Sequence, residues 1–339
     1  MSCFKVNTKI FTGEKKYSEC IDTIGKISHG PCLVLADDVV LKNYPNIVEN
    51  ITRLLESWQI VYYLEAMKIN GEPTYDFVDE QFKRLKTKGS FEYIVAIGGG
   101  SLMDVAKAIA ILYTNDGNAI NYRGMDKVNH PSLPVICVPT TAGSGSEVTH
   151  TAALIDTKEK RKLGINGKYV TPFATILEPN YLMNQPENVM LFSKLDAILH
   201  AAEAITSKQS TTISKVFGHQ ALCLLESIEV EKIQLGATLA GIAMMNAAGG
   251  IASAISYPLG SRFGVPHGLA GGIFLPYEFE LNDVFCCKIP LSRKLSDYGY
   301  KIDVDELVEA TWTERKDVLD LNPYPITKEE LRKLIESVQ

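Results

Sequence analysis

The feature that most constrains the fold is an apolar strand that runs through a glycine-rich turn directly into a helix. In FEYIVAIGGGSLMDVAKAIAILYT, the apolar segment from Ile94 to Ile97 precedes GGGS, and helix-forming residues follow at once. Strand and helix patterns alternate in the same way from CLVLADDVV, at 32–40, to a strand that ends near Leu177. This alternation predicts a parallel sheet covered by helices.

The pattern changes after Glu178-Pro179, where helical patterns rich in Ala, Leu and Ile replace the strands. We therefore predict an α/β domain over residues 1–178 and an all-α domain over residues 179–339. The most apolar stretch, 239–255, contains Asn246 and many small residues, so we interpret it as a buried helix rather than a membrane span. Near the end of the chain, Thr327 and Glu330 have the spacing of a capping box at the start of a terminal helix.

Composition and charge argue against several classes of protein. The 339 residues are 46% hydrophobic and 22% charged, which is ordinary for a globular protein. With 34 Lys and Arg against 40 Asp and Glu, and no basic run, nucleic acid is not an expected partner. The N-terminus lacks an apolar signal core, and the 7 cysteines show no CxxC spacing, so we expect a cytoplasmic protein with free thiols and no membrane partner.

Two glycine-rich loops that follow strands are candidates for binding a phosphate. The GGGS turn at 98–101 would let the backbone approach an anion at a helix start, although a tight strand-to-helix turn would use the same glycines. The second loop, PTTAGSGSE, follows a strand at Val135–Val138 and offers the hydroxyl groups of Thr140, Thr141 and Ser144. Because the ends of parallel strands share one edge of a sheet, the two loops together predict dinucleotide binding.

Two charged residues could contact the ribose groups of such a cofactor. Asp37 ends an early strand, where its carboxylate could accept hydrogen bonds from the adenosine ribose or could simply cap the next helix. Lys162 could reach the nicotinamide-side ribose or a phosphate. It also belongs to the charged run at 159–162, Glu-Lys-Arg-Lys, which is typical of a solvated surface.

One carboxylate and two imidazoles predict a metal site in the helical half. Asp196 and His200 are four residues apart in a segment without Gly or Pro from Leu191 to Ser207, so they face the same way on a helix. His267 lies in GVPHGLAGG, which we predict to be a loop. Burial of an unpartnered Asp-His pair is costly, and a divalent cation would satisfy it. The alternative is an N-terminal Asp and a buried, hydrogen-bonded His on one helix.

These motifs resemble the iron-containing (group III) alcohol dehydrogenase family. The resemblance rests on GGGSLMDVAKA (98–108), PTTAGSGSEVT (139–149), LDAILHAAEA (195–204) and GVPHGLAGGIFLP (264–276), and it covers essentially the whole chain. It implies a Rossmann-like N-terminal domain that binds NAD or NADP, a helical C-terminal domain, and a metal in the cleft between them. Homodimers are common in the family, so a homodimer is implied by analogy alone.

The resemblance also implies roles for individual residues. The family's cofactor-binding positions correspond to Gly98, Gly99, Gly100, Ser101, Asp104, Thr140, Thr141, Ser144 and Lys162. Asp37 corresponds to the position that favours NAD over NADP, because a carboxylate repels a 2′-phosphate. Three of the four metal ligands correspond to Asp196, His200 and His267, and Fe(II) or Zn(II) is the implied metal.

The sequence departs from the family at two histidine positions. Ser253 stands where the fourth metal ligand is expected, and Tyr257 stands where many members have a second, catalytically helpful His. Three protein ligands and a water would still make a catalytic site of the zinc type. We assign the catalytic roles to His267, as a ligand, and to Tyr257, which could donate a proton or could only pack. The chain is also shorter than typical members, near 225–232 and 283–290.

A narrower resemblance concerns the substrate. Ser256-Tyr257 and the run SKQSTTISK are similar to the phosphonoacetaldehyde reductase branch, which makes 2-hydroxyethylphosphonate. The best interpretation is therefore a metal-dependent, NAD(P)H-linked reductase of phosphonoacetaldehyde. Two alternatives remain: a dehydrogenase for another small alcohol or polyol on the same scaffold, and a nucleotide-binding protein that has lost its chemistry.

Overall fold

The computed structural model describes residues 4–13, 16–26, 28, 30–183, 185–247, 249–282 and 294–339. They form two compact units. The α/β unit comprises Val6–Thr141 and Ser146–Gln185, and the helical unit comprises Pro186–Gln339, the short segment Ala142–Gly145 and the N-terminal residues up to Lys5. The predicted fold class, α/β followed by all-α, is confirmed. The chain enters the helical unit at Pro186, a short distance after the predicted boundary at residue 178.

The α/β unit alternates strands and helices, as the sequence predicts. Its elements are β1 (Lys9–Phe11), α1 (Lys16–Gly25), β2 (Cys32–Asp37), α2 (Asp38–Asn43), α3 (Pro45–Ser57), β3 (Tyr62–Met67), α4 (Tyr75–Lys86), β4 (Tyr93–Gly98), α5 (Gly100–Leu112), β5 (Gly124–Met125), β6 (Val135–Pro139), β7 (Thr151–Ala152), β8 (Ile155–Asp156), β9 (Arg161–Lys162), β10 (Ile165–Asn166) and β11 (Ala174–Ile176). Short 3₁₀ turns lie at Ala119–Tyr122 and Pro179–Leu182.

Six strands form one parallel sheet in the order β1-β11-β6-β4-β2-β3. Alternate residues of β2 enter two separate cores. Leu33 and Leu35 pack with residues of α4 and α5, whereas Val34 and Ala36 pack with residues of α1 and α3. Because both faces are covered, the strands are almost continuously apolar. The winding reverses between β2 and β4, and ligands bind at the carboxyl ends of strands beside such a reversal.

In its described residues, the helical unit contains helices and one 3₁₀ turn, at Leu295–Tyr298, joined by loops. Its helices are α6 (Glu187–Thr206), α7 (Thr212–Leu225), α8 (Val230–Asn246), α9 (Ile251–Phe263), α10 (His267–Gly272), α11 (Leu275–Asn282), α12 (Val304–Glu314), α13 (Lys316–Leu319) and α14 (Lys328–Ser337). The capping box of Thr327 and Glu330 is confirmed at the start of α14. Residues 226–229 alone connect α7 to α8, while the predicted shortening at 283–290 lies outside the described residues.

The prediction of one buried helix over 239–255 is wrong, because α8 ends at Asn246 and α9 begins at Ile251. Gly249, with φ of +108°, adopts a conformation that no right-handed helix can include. No single helix within the described ranges is long and apolar enough to cross a membrane. Only α8 and α9 counted together reach that length and composition, and they do so across a bend of 102°.

Candidate metal centre and cofactor loops

Helix α6 places Asp196 and His200 on one face, where both side chains are buried. Oδ1 of Asp196 lies 3.5 Å from Nε2 of His200 and 3.6 Å from Nε2 of His267. One ligand atom from each of the three residues falls within 4.8 Å of the others. Two ligands at about 2.1 Å from a tetrahedral metal are themselves about 3.4 Å apart, so this spacing suits a single cation.

The hydrogen bonds of this group favour a metal over a purely structural pair. Asp196 Oδ1 and His200 Nδ1 are buried, and neither has a hydrogen-bond partner among the residues that the structure describes. A hydrogen-bonded Asp, the alternative that the sequence left open, would not leave its buried oxygen unsatisfied, whereas a metal on His200 Nε2, the nitrogen that faces Asp196, does not change the state of Nδ1. A buried carboxylate oxygen that faces two imidazoles is costly without a cation. One oxygen and two nitrogen ligands therefore fit Fe(II) or Zn(II).

The position of His267 differs from the prediction of a loop, since His267 is the first residue of α10 and follows Pro266. The glycines after it permit close packing rather than loop flexibility. A methyl group at Gly268 would collide with the carbonyl oxygen of Phe192 on α6, and one at Gly272 would lie 3.0 Å from Leu195 Cβ. The contact of α10 with α6 thus brings His267 to Asp196.

Ser253 lies in the first turn of α9 and is bound to a buried carboxylate. Its N–H donates to Oε1 of Glu203 at 2.9 Å, and its hydroxyl donates to Oε2 at 2.6 Å. The N–H of Ala252 donates to Oε1 of Glu278 at 2.7 Å. Two carboxylates therefore cap the N-terminus of α9, where the helix dipole favours negative charge. Burial, and then the charge of Glu278, raises the pKa of Glu203.

The role of Glu203 was missed in the sequence, although a signal existed. Glu203 follows His200 by three residues in an otherwise apolar helix, so it had to be buried near the same face. Its partner Glu278 is distant in sequence, and no local pattern connects the two.

Tyr257 contacts one candidate metal ligand, His267, through its ring. Its ring and that of His267 are nearly perpendicular, at 81°, with centroids 5.3 Å apart. On the same tyrosine, the guanidinium carbon of Arg315 lies 4.3 Å from the ring centre. Both are favourable geometries for an aromatic ring, and together they hold Tyr257 beside His267. Proton donation by Tyr257 stays a prediction, and Arg315 was missed in the sequence.

The predicted cofactor residues Asp37, Gly98, Gly99, Thr140 and Thr141 meet at the carboxyl ends of β2, β4 and β6. The Thr140 N–H donates to the Gly98 carbonyl at 3.0 Å. A methyl group at Gly98 would lie 3.1 Å from Asp37 Cβ, and one at Gly99 would lie 3.2 Å from the Thr141 hydroxyl oxygen. This edge is beside the reversal of winding, where an α/β sheet binds its ligand.

Helix α5 begins directly after these glycines, with Gly100 and Ser101 in its first turn. Gly99 is the N-cap and offers no side chain to accept the first N–H groups of the helix. An anion such as a pyrophosphate can bind those N–H groups and the positive end of the helix dipole. The residues present therefore fit the phosphates of a dinucleotide.

Asp37 caps α2, with Oδ1 accepting the Val39 N–H at 2.9 Å. The cap that the sequence left open is thus confirmed, whereas a contact with the ribose stays a prediction. Burial is the main cause that raises the pKa of Asp37 above its ordinary value. The second carboxylate oxygen takes no part in this cap bond, so capping and ribose binding are compatible.

Asp104 forms part of a buried polar group around Lys107. Asp104 accepts the Ser146 hydroxyl at 2.5 Å and the Ala153 N–H at 3.0 Å. The buried Lys107 ammonium donates to the Ser146 hydroxyl oxygen at 2.7 Å and to the Thr151 carbonyl at 2.8 Å. These bonds join α5 to the segment that follows the second loop. Asp104 therefore has a structural role, and contact with a cofactor stays a prediction.

Lys162 and Ser144 complete the predicted cofactor residues. The expectation of a solvated surface at Lys162 is wrong: the side chain is buried in β9 and pairs with Glu72 at 2.6 Å. Ser144 belongs to the segment Ala142–Gly145, which is part of the helical unit. Within that unit, a methyl group at Gly143 would lie 2.6 Å from the Ser193 carbonyl oxygen, so this glycine is required for close packing.

Comparison with known proteins identifies relatives over both units. The profile of the iron-containing alcohol dehydrogenase family matches residues 7–179, and the profile of its C-terminal domain matches residues 190–288. The chain is 32% identical over 201 residues to the NAD-dependent methanol dehydrogenase of Bacillus methanolicus, covering 56% of this chain and 53% of that protein. It is 31% identical over 237 residues to the sulfoacetaldehyde reductase of Bilophila wadsworthia, and the alignment covers 66% of this chain and 60% of that protein.

A solved structure gives the same result for the fold. The iron-containing alcohol dehydrogenase of Thermotoga maritima is 27% identical, with a TM-score of 0.84 over 99% of both chains. The aligned sequence spans between half and two thirds of the length of the two curated relatives.

Proposed function

Because the chain belongs to the iron-containing alcohol dehydrogenase family, we propose that it is a metal-dependent alcohol dehydrogenase that reduces aldehydes with NADH. One observation carries the proposal: Asp196 Oδ1 is buried, accepts no hydrogen bond from the part of the chain that the structure describes, and faces two imidazole nitrogens at metal-ligand spacing. A structural carboxylate would be satisfied by donors of the chain.

Asp196, His200 and His267 would hold the metal. A bound divalent cation supplies Lewis acidity that polarises a carbonyl and stabilises the negative charge that develops on its oxygen. The chain fixes the direction of the ligands, since α6 carries two of them and the glycine contact of α10 sets the third. Tyr257 restrains the His267 ring from the side. Ser253 is bound to Glu203, and we therefore assign it no ligand role.

The nicotinamide cofactor would bind at the ends of β2, β4 and β6. In this proposal the pyrophosphate contacts the backbone at Gly98–Ser101, and the hydroxyls of Thr140 and Thr141 contact the remainder of the cofactor. Asp37 would accept hydrogen bonds from the adenosine ribose and repel the 2′-phosphate of NADP, so NAD is the preferred form. The cofactor supplies the hydride, while the protein orients it and excludes water.

The substrate we propose is phosphonoacetaldehyde, which would be reduced to 2-hydroxyethylphosphonate. The Ser256-Tyr257 pair supports this choice, and so does similarity to a sulfoacetaldehyde reductase, whose named substrate is also a two-carbon aldehyde with an anionic head. Similarity to a methanol dehydrogenase supports a second candidate, a small neutral alcohol or its aldehyde.

The experiment is NADH oxidation by the purified protein with phosphonoacetaldehyde, beside propanal, in the presence of Fe(II), Zn(II) or a chelator. Metal content is assayed in parallel. We expect fast, metal-dependent turnover of the phosphonate. Turnover of propanal alone would keep the dehydrogenase and reject the phosphonate, and NADH binding without metal or turnover would favour a binding protein that has lost its chemistry.

A further inference from the structure

Arg315 places a positive charge close to the candidate metal centre. It follows α12, and its guanidinium carbon is 4.3 Å from the centre of the Tyr257 ring. The other neighbour of that ring is His267, with the two ring centres 5.3 Å apart. The guanidinium and a candidate metal ligand therefore contact the same aromatic ring, and all three residues belong to the helical unit.

Among the described residues, no carboxylate pairs with the guanidinium of Arg315, although a partly buried arginine usually has such a partner. Its Nε is buried and has no hydrogen-bond partner within the ranges described. The Nε of Arg262, in the same unit, is likewise unsatisfied among the described residues, but its two Nη groups pair with Glu306 and Glu314. The two arginines therefore differ in their carboxylate partners. A partly buried guanidinium without a counter-ion is costly, so Arg315 is a candidate for binding an anionic ligand.

The chemistry of such a ligand follows from the arrangement. A guanidinium against a ring face keeps its N–H donors in the guanidinium plane, where they can form two parallel bonds to an oxyanion. Phosphonate and sulfonate both present oxygens with this spacing. In a two-carbon aldehyde only one methylene separates the anionic group from the carbonyl carbon. Because Arg315 and His267 contact the same ring, at 4.3 and 5.3 Å from its centre, they are close enough for one short substrate to reach both the guanidinium and the candidate metal centre.

We propose that Arg315 is the specificity-determining residue of this site, and that it binds the phosphonate or sulfonate group of a short anionic aldehyde. This inference rests on the proposed reductase function and deepens it. Tyr257 then has a defined task, because its ring contacts both the guanidinium and the His267 imidazole.

A structural role for Arg315 is the rival explanation. Its charge is near enough to Glu203 to oppose the rise in the pKa of that carboxyl. If this were its main task, removal of the charge would disturb the α9 cap and would affect every substrate alike. Two substrates of equal shape, one charged and one neutral, therefore distinguish anion binding by Arg315 from a purely structural role.

The test compares phosphonoacetaldehyde with 3,3-dimethylbutanal, in which a neutral tert-butyl group replaces the phosphonate at nearly the same size. For Arg315→Gln we expect kcat/KM for phosphonoacetaldehyde to fall about 100-fold, mainly through KM, and kcat/KM for the neutral aldehyde to change less than about threefold. Arg315→Lys keeps the positive charge but not the two parallel N–H donors of the guanidinium. Its kcat/KM for phosphonoacetaldehyde should be about tenfold higher than that of Arg315→Gln. Sulfoacetaldehyde, run in parallel, distinguishes the two anionic groups.

The control is Arg332→Gln, because Arg332 is an exposed arginine of the same unit that pairs with Asp305. This substitution should leave kcat/KM unchanged for both aldehydes. Calorimetric titration with 2-hydroxyethylphosphonate adds a readout that needs no turnover, and Arg315→Gln should lose most of the binding. Equal losses for both aldehydes, or unchanged binding of the phosphonate, would overturn the inference. Wild-type protein that binds the phosphonate through Arg315 but reduces no aldehyde would overturn only the proposed function.

Discussion

The two units treat their buried polar groups in opposite ways. In the α/β unit, Lys107 is fully buried, and its ammonium donates to Ser146 and Thr151 and lies beside Asp104. In the helical unit, Asp196 Oδ1 is also buried, yet no hydrogen bond reaches it among the described residues. A charge that the chain satisfies itself stabilises the fold, whereas a charge left unsatisfied indicates a ligand.

The largest effect on activity is expected at the candidate metal centre, where Asp196 Oδ1 accepts no hydrogen bond from the described residues. His267→Ala removes one of the three proposed metal ligands, so bound metal should be lost and kcat/KM should fall at least about 1000-fold, with little change in the fold. Metal analysis, circular dichroism and NADH oxidation measure the three properties. His219→Ala, at an exposed histidine of α7, is the matched control. Full activity of His267→Ala would remove the metal from the proposal.

Substitution of Lys107, whose charge is satisfied within the protein, should lower the stability of the fold. Lys107→Met leaves the buried Asp104 without its cation, so the free energy of unfolding should fall by about 3 kcal/mol in urea. Lys232→Met, which breaks a surface pair with Glu229, should leave the unfolding midpoint unchanged. If Lys107→Met kept its stability and lost only activity, the contrast between the two units would be wrong.

Asp37 caps α2 and is also proposed to bind the adenosine ribose, and one substitution separates these two roles. Asp37→Ser keeps an oxygen that can accept the Val39 N–H but removes the carboxylate. We expect the preference for NADH over NADPH to fall about tenfold, at nearly unchanged stability, because the 2′-phosphate is no longer repelled. Steady-state kinetics with both cofactors measure this ratio. An unaltered ratio would leave Asp37 as a helix cap only.

The smallest effect concerns Glu203, which is satisfied by Ser253 although it is buried beside another carboxylate. Since its pKa is raised on folding, the folded state binds the proton more tightly. The stabilisation is therefore complete at acidic pH and is lost as pH rises through the raised pKa. Urea unfolding across this range should show falling stability in the wild type and a flatter profile in Glu203→Gln. Equal profiles would contradict the raised pKa.

Local patterns were sufficient to predict most of the fold. The alternation from β2 to β6, the start of α5 after GGGS and the capping box of α14 each depend on neighbours in sequence. The pairing of Asp196 with His200 depends on a single helix turn. The roles of Lys107, Glu203 and Arg315 could not be predicted in this way, because their partners come from distant parts of the chain.

Glycine was the most ambiguous signal. It permits unusual backbone angles, as at Gly249, and it also permits close approach of two segments, as at Gly268. The sequence does not distinguish these uses, and for that reason the start of α10 was predicted to be a loop. Charge is ambiguous in the same way: the charged run around Lys162 indicates a solvated surface, and only the fold places Glu72 beside this lysine.

The glycine contact between α10 and α6 has a consequence for how such a protein can diverge. No side chain fits between the two backbones at Gly268, so substitutions elsewhere have little means of changing the distance between Asp196 and His267. Tyr257 and Arg315 lie outside that contact and can be exchanged separately. New substrates can therefore arise by mutation of α9 and of the segment after α12, while descendants inherit the metal-binding geometry intact.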